Sequence, residues 1–441
     1  MKWLLGALLL LLLGALFQLG LLVYAMYVLV AVMLASRYLA REWIENLEAE
    51  RTSGADVLEI DDEIDVAVTI RNKGRLPIPW LLIEDSLPFG ALTQTPPRLR
   101  ATGHRLSLVQ LRSKGETQLN YKVRFQMRGY YQIGPLLMES GDLFGLHRRY
   151  RITTEPRFVL VLPKVVRFEA YDLTSRQPVG EIRMTHRLFE DPTRHCGVRP
   201  YEMGDPLNRI HWRVTARTGS LHSKAYEPSS VAGATLLLDF HRGSYQGRGQ
   251  VVRCELAITA AASLANALQL MGQRVGLITN GRDAADRIRE EGCSHEFRTR
   301  TVARASIGMR DQSDRLRPII IETRRGSDQL NRILETLARI ELTDGLVFAQ
   351  LATETASRLP RNATVVAVLP EVTSETAVAL IHLRKRGYAV TAVLVFFDEL
   401  ETPEWAQRPD WAGWLLAGGI DVKRVANEAE VSTLCGESFV R

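Results

Sequence analysis

The stretch ATLLLDF, residues 234–240, decides how this chain is read. From Ala234 to Leu238 its only polar side-chain atom is the hydroxyl of Thr235, and the run reads as continuously apolar. A strand with one wet face would alternate; a continuous run predicts a strand covered on both faces, as in a parallel sheet flanked by helices. The downstream residues keep that pattern. Residues 254–272, CELAITAAASLANALQLMG, read as a helix closed by Gly272, and 274–279, RVGLIT, as a strand. Residues 330–340 place Leu330, Ile333, Leu334 and Leu337 at helical spacing. Residues 363–370 read as a strand, 374–387 as a helix and 388–396 as a strand. Alternation of strand and helix predicts an α/β parallel-sheet domain over 233–441. The charged stretch 281–317 reads as an irregular insertion.

Upstream, the period changes. In EIDVAVTIR, residues 63–71, Ile64, Val66, Val68 and Ile70 share one parity. In TQLNYKVRF, residues 117–125, Leu119, Tyr121, Val123 and Phe125 do the same. Period two predicts half-buried antiparallel strands. RNKGRLPIPW, residues 71–80, reads as a turn leading into a proline-punctuated edge strand, and RGYYQIGP, residues 128–135, as a strand ending at a Gly-Pro turn. With no helix-length stripe from about residue 51 to 150, an immunoglobulin-like β-sandwich over 51–162 is the economical solution.

The amino-terminal end is the strongest physical signal. From residue 3 to 35 only Gln18 is strongly polar and none is charged. One span needs about 20 apolar residues, so the run is long for one and slightly short for two. We read a transmembrane hairpin turning near Gln18–Gly20, with Gly14 and Gly20 flanking the turn and a juxtamembrane helix continuing to residue 50. Lys2 before the run and Arg37 and Arg41 after it fit both ends, and hence the body, on the cytoplasmic side of the inner membrane. A single span would put the body outside.

The 441 residues predict two or three units. A net charge of +6, with arginines interspersed among acids, is no nucleic-acid signature. Cys196, Cys254, Cys293 and Cys435 are scattered and form no C-x-x-C pair, which argues against a zinc site and weakly against a disulfide framework. Among nucleotide motifs, neither G-x-G-x-x-G after a strand nor a P-loop is present, and no cofactor or small-molecule substrate is expected.

Between sandwich and α/β domain lies a connecting segment, 163–232. It contains HCGVRPYEMGDPLNRIHWRVTARTGSLHSKAYEP, residues 195–228. Asp205-Pro206 reads as a helix start, aspartate as cap and proline at the first helical position. From there Arg209 and Arg213 share a face, Trp212 is able to bury a large apolar area, and Thr-Gly-Ser at 218–220 makes a turn. Arg199, Arg209 and Arg217 could converge on Glu202, Asp205 or Glu227 as an internal ion-pair clamp at the domain junction, or face an acidic or phosphate-bearing partner. An enzyme reading would use Cys196 with one of His186, His195, His211 and His222, or Asp205 with Glu202. Nothing selects the base, and Asp205 is already engaged as a cap.

The spacing Arg199-x-Tyr201-x-x-Gly204-Asp205-x-x-Asn208-Arg209-Ile210-x-Trp212-x-x-x-Ala216-Arg217 resembles the signature of the bacterial family called domain of unknown function 58, DUF58. RGYYQIGPLLMESGDLFGL, residues 128–146, is similar to that family's upstream stretch, with Leu143 where a proline is expected. The element order of the carboxyl half resembles a degenerate von Willebrand factor A domain. That family's metal loop is Asp-x-Ser-x-Ser, whereas DFHRGS puts His241 and Gly243 at the serine positions. Leu369 and Pro370 stand where the acidic ligand after the fourth strand is expected, so Asp239 is only a weak metal candidate. The DUF58 resemblance implies a membrane-anchored partner of MoxR-type AAA+ ATPases, acting in assembly or activation of other complexes. Because no catalytic set is selected by the residues, we read a non-enzymatic scaffold or adaptor that binds protein through its α/β domain. A membrane-anchored enzyme and a metal-dependent adhesion module are the alternatives.

Overall fold

The computed structural model describes residues 20–142, 147–168, 190–201, 210–228, 233–247, 249–285, 316–360, 363–396, 411–432 and 434, with Gly6, Leu12 and Leu16. The chain divides into two compact units, the first boundary falling between Pro163 and Lys164.

The first unit opens with helix α1, Gly20–Glu45. Its segment Val23–Glu45 is long and apolar enough to cross a membrane. Gly6, Leu12 and Leu16 are helical too, while the hairpin turn expected near Gln18 falls on residues outside those described. Leu21, Tyr24, Tyr27, Val28 and Leu34 are exposed, as a lipid-facing surface would be. From Met33 onward one face is covered: Met33, Ser36, Ala40, Trp43 and Ile44 are buried. The helix stops at Glu45, five residues short of the expected end. There Arg151 donates to the carbonyls of Ile44 and Glu45, and Asn46 Nδ2 donates to Glu42 O at 2.9 Å. These bonds satisfy carbonyls that a helix end leaves open. Leu47–Ser53 is already strand β1.

The sandwich contains two four-stranded antiparallel sheets. One has the order β1–β3–β7–β5, with β3 at Glu63–Asn72, β5 at Leu99–Gly103 and β7 at Glu116–Phe125. The other has the order β10–β9–β4–β6, with β4 at Ile78–Asp85, β6 at Leu106–Leu111, β9 at Leu136–Gly141 and β10 at Arg148–Ile152. A short helix, α2 at Phe89–Thr93, lies between β4 and β5. A third, smaller sheet joins β2, Val57–Leu58, with β11, Arg157–Val161, and β8, Gly129–Ile133. The two alternating runs pair in the register Val66↔Tyr121 and Val68↔Leu119. All eight of their apolar residues enter the core that α1 closes with Trp43 and Ile44. One expectation needs correction. β4 is a central strand, not an edge, although it contains Pro79. Its pairing with β6 is irregular between Ile78 and Leu81, and that is where the missing N–H of Pro79 falls.

The second unit is an α/β body. Its six-stranded sheet has the order β17–β15–β14–β19–β20–β21. The strands are β14 Ala234–Leu238, β15 Val275–Thr279, β17 Ile319–Arg324, β19 Thr364–Leu369, β20 Ala389–Val395 and β21 Asp421–Val425. Five run parallel; β17 is antiparallel to β15. A separate two-stranded ribbon pairs β16, Arg282–Asp283, with β18, Ile340–Glu341. The apolar runs mark the four inner strands and predict a wholly parallel sheet; they leave out both edges. Glu322 and Arg324 in β17, and Asp421, Lys423 and Arg424 in β21, break the apolar run, as charged side chains do on edge strands. Helices flank the sheet: α4 Gln250–Leu270, α5 Ser327–Arg339, α6 Phe348–Thr355, α7 Ser374–Lys385, and the shorter α8 Trp411–Ala417 and α9 Glu428–Val431. α4 matches a membrane span in length and apolarity, yet it is the core helix of this unit, with Leu256–Ala262 inside. The connecting segment contributes to the same body: Phe168 is in the core, and the N–H of Val166 donates to Ser263 Oγ at 2.9 Å.

Candidate functional site

Open α/β sheets bind ligands beyond the carboxyl ends of their strands, where the strand order reverses. Here that point lies between β14 and β19, and Asp239 stands on it, its N–H donating to Val368 O at 3.0 Å. Asp239 is 2% exposed. Its Oδ1 accepts from Asn280 Nδ2 at 2.9 Å and from the N–H of His241 at 3.1 Å, and the Ser244 hydroxyl also donates to the carboxylate.

Asn280, one residue beyond β15, is the hub of this tip. Its Oδ1 accepts from the N–H of Phe240 at 2.6 Å, and its Nδ2 donates again to Leu346 O at 2.8 Å. The loop carrying Thr343 is fastened from the other side: Thr343 N–H donates to Phe240 O at 3.1 Å, and Arg242 N–H donates to Thr343 O at 2.8 Å. Arg242 Nε lies 3.3 Å from Asp344 Oδ1. Tyr245 hydroxyl donates to Asp239 O at 2.9 Å. His241 Nδ1, at a position where a metal loop would offer a hydroxyl, accepts from the N–H of Gly243 at 3.1 Å.

The donor set therefore does not fit a divalent cation. The carboxylate faces the N–H donors of Asn280 and His241 and a single hydroxyl, Ser244, not a ring of oxygens. Among the described residues no group of three or more His, Cys, Asp or Glu is placed to hold a metal. The tip is a closed hydrogen-bonded fastener, and it tethers β14, β15 and the α5–α6 connection to one another.

Burial of the Asp239 carboxyl raises its pKa, against the hydrogen bonds from Asn280, Ser244 and His241 that pull it down. A carboxyl whose folded-state pKa is raised favours the folded state when protonated, so its contribution declines as pH climbs from the ordinary carboxylate range through the raised value. Asp239→Asn removes the titration and keeps an acceptor toward Asn280. The stability difference between variant and wild type is expected to move in the variant's favour as pH rises, and then to level off. Urea unfolding at a series of pH values checks this; a pH-independent difference contradicts it.

The second feature is the arginine-rich motif. Strand β12, Glu190–Pro200, pairs with β13, His222–Pro228, in a hairpin with irregular register near His195. Arg199 lies opposite Ser223, and Tyr201 N–H donates to Leu221 O at 2.9 Å. Gly204, Asp205 and Arg209 fall outside the described residues, as does the cap expected at Asp205. Residues 206–209, where the expected helix would begin, also lie outside the described residues; at Ile210 and His211 the chain is not helical. Ile210 bridges to Ser223, and helix α3, Trp212–Thr218, starts afresh with His211 as its cap, Nδ1 accepting from Val214 N–H at 3.2 Å. Gly219, at φ +70°, ends α3 in the left-handed conformation that glycine adopts freely, which places the expected Thr-Gly-Ser turn.

Trp212, expected to pack inside a clamp, is 66% exposed, because it occupies the outward first position of a two-turn helix. Arg213 and Arg217 are exposed on the same helix, and Leu221 is 47% exposed just beyond it. Of the histidines that thiol chemistry would recruit, His186 lies outside the described residues and the side chain of His195 is not described, while His211 and His222 are engaged locally. His211 caps α3, and His222 Nδ1 lies 2.8 Å from Ser220 O and 3.2 Å from Thr218 Oγ1. The side chain of Cys196 is not among those described.

Residues 197–305 match the family model for the protein of unknown function DUF58. The chain is also similar to the uncharacterized protein YeaD of Bacillus subtilis (strain 168), 25% identical over 274 residues. That match covers 62% of this chain and 65% of the relative. Among solved structures, an aerotolerance-related membrane protein from Bacteroides fragilis matches 46% of this chain and 96% of its own at 12% identity and a TM-score of 0.28. A CARDB domain from Pyrococcus furiosus matches 26% of this chain and 91% of its own at 17% identity and a TM-score of 0.18.

Proposed function

We propose, from the premise that residues 197–305 are a DUF58 segment, that this protein is a membrane-anchored, non-enzymatic adaptor. An amino-terminal hairpin, with α1 as its second arm, holds it in the inner membrane with the body in the cytoplasm. The α/β unit, a von Willebrand factor A-like body, docks a protein partner, and the family resemblance names a MoxR-type AAA+ ATPase as that partner. The observation that carries the reading is the joint exposure of Trp212, Arg213 and Arg217 on α3. Tryptophan and arginine are among the residues in which interface hot spots are richest, and a large aromatic left in water on a helix that also exposes two arginines is of little use to a monomer.

The closed tip at Asp239 supports the same reading, since the position where this kind of sheet would work on a ligand is filled by internal hydrogen bonds. Trp212→Ala combined with Leu221→Ser is expected to leave the melting curve unchanged and to reduce ATPase capture by the detergent-extracted chain at least tenfold, the loss typical of one hot-spot residue at about 1.4 kcal/mol or more. Undiminished capture by a well-folded double variant contradicts the docking face.

A further inference from the structure

Strand register sorts the charges of the sandwich. β3 runs from Glu63 to Asn72, β4 starts at Ile78 beside the end of β6 at Leu111, and β9 ends at Gly141 beside the start of β10. The β3–β4, β6–β7 and β9–β10 turns therefore share one end of the sandwich. That end carries Lys73, Arg75, Arg112, Lys114, Arg148 and Arg149; residues 73–77 and 112–115 contain no acid, and the acid of the β9–β10 turn, Asp142, is buried and accepts from the His147 N–H at 2.7 Å. All six except the half-buried Arg149 are exposed. Lys73 pairs with Glu48, and Arg148 with Glu139 at 3.5 Å. Asp61, Asp62 and Glu63 mark the opposite end, where Asp61 lies against Phe125 and Arg124.

The basic end is the one α1 touches. Ser36 Oγ lies 3.3 Å from His147 Nδ1 in the β9–β10 region, and Lys73 N–H donates to Asn46 O at 2.9 Å beside the helix terminus. Ser36 is also where the uncharged run ends and Arg37 begins. One face of the helix is covered by protein from Met33 onward, so the stretch that is apolar and open all round ends where the basic turns begin.

We propose that this end of the sandwich binds the anionic phospholipid headgroups of the bilayer that α1 crosses, the six cations gripping phosphate oxygens around the helix exit. The proposal rests on α1 being a membrane span. It gives the sandwich a task, which is to set the tilt and height of the body over the membrane, and it favours a leaflet rich in acidic lipid.

The test reconstitutes the full chain into vesicles of phosphatidylcholine with and without phosphatidylglycerol, washes with alkaline carbonate, and measures by native mass spectrometry which lipids leave with the extracted protein. Wild type is expected to retain phosphatidylglycerol about tenfold above its bulk share, less at high salt because exposed charges are screened. Arg75→Gln, Arg112→Gln, Lys114→Gln and Arg149→Gln together are expected to return the ratio to bulk, and Arg124→Gln at the opposite end to leave it enriched. Equal enrichment in wild type and the quadruple variant, or none in wild type, overturns the proposal while leaving the anchor standing. Release of wild type by carbonate from both kinds of vesicle overturns the anchor, and the proposal with it.

Discussion

Asp85→Ala is expected to lower the melting temperature of the sandwich by about 10 °C or more, from the roughly 3–5 kcal/mol lost when one partner of a buried ion pair is removed. The Asp85 carboxylate is fully buried, and the Arg51 side chain is 5% exposed. They form a two-pronged pair, Nε to Oδ2 at 3.1 Å and Nη2 to Oδ1. Arg51 Nη1 also donates to Ile133 O at 3.3 Å and Glu155 O at 3.0 Å, and Tyr121 hydroxyl donates to Asp85 Oδ2 at 2.7 Å. Burial, with the Asp85 charge beside it, pushes the Tyr121 hydroxyl pKa far up, so it stays a donor. One residue from β1, one from β4 and one from β7 thus cross-link the two large sheets. Removing the carboxylate strands a guanidinium in the core. Tyr121→Phe removes one donor of several and is expected to lose about 1–3 kcal/mol. Arg51→Met with Asp85→Leu is expected to recover most of the loss, since an apolar pair of similar volume needs no counter-charge. Differential scanning calorimetry of the three variants checks the order; an Asp85→Ala melt equal to wild type contradicts it.

Asn280→Leu is the second large effect, expected to destabilise the α/β unit by about 3–5 kcal/mol through three stranded partners, the N–H of Phe240, the carbonyl of Leu346 and the Asp239 carboxyl. Asn280→Asp makes a sharper test. It replaces a donor by a second carboxyl against the first, so it is expected to be severe at neutral pH and milder in acid, where one of the two is protonated and donates. Urea unfolding at two pH values reads both. A loss for Asn280→Asp that does not shrink in acid contradicts the geometry of the tip.

Much of the fold was legible because burial follows period. The alternation in 63–71 and 117–125 named the eight apolar inward residues of β3 and β7, and the apolar run at 234–238 named a strand covered on both faces. Edges were harder. β17 and β21 carry charges and look like loop, and Pro79 made a central strand look like an edge. The end of α1 was set by Arg151, a residue 106 positions away from Glu45, and no local pattern reveals such a cap. The same distance hides the tip: Asp239, Asn280 and Leu346 meet only because two crossovers return to one sheet end. In β1, Leu47, Ala49 and Arg51 alternate, so an inward arginine could have been suspected, but its partner at 85 could not. The exposure of Trp212 was invisible as well, since an apolar residue beside arginines suits a clamp and a surface equally until the helix start is known.

The most direct test of the adaptor claim is a flotation assay with purified parts. Full-length chain is reconstituted into vesicles and mixed with the purified MoxR-type ATPase of the same organism and ATP. The ATPase is expected to rise with vesicles bearing wild type and to stay at the bottom with vesicles bearing the Trp212→Ala, Leu221→Ser variant. ATPase that rises equally with both, or with neither, contradicts it.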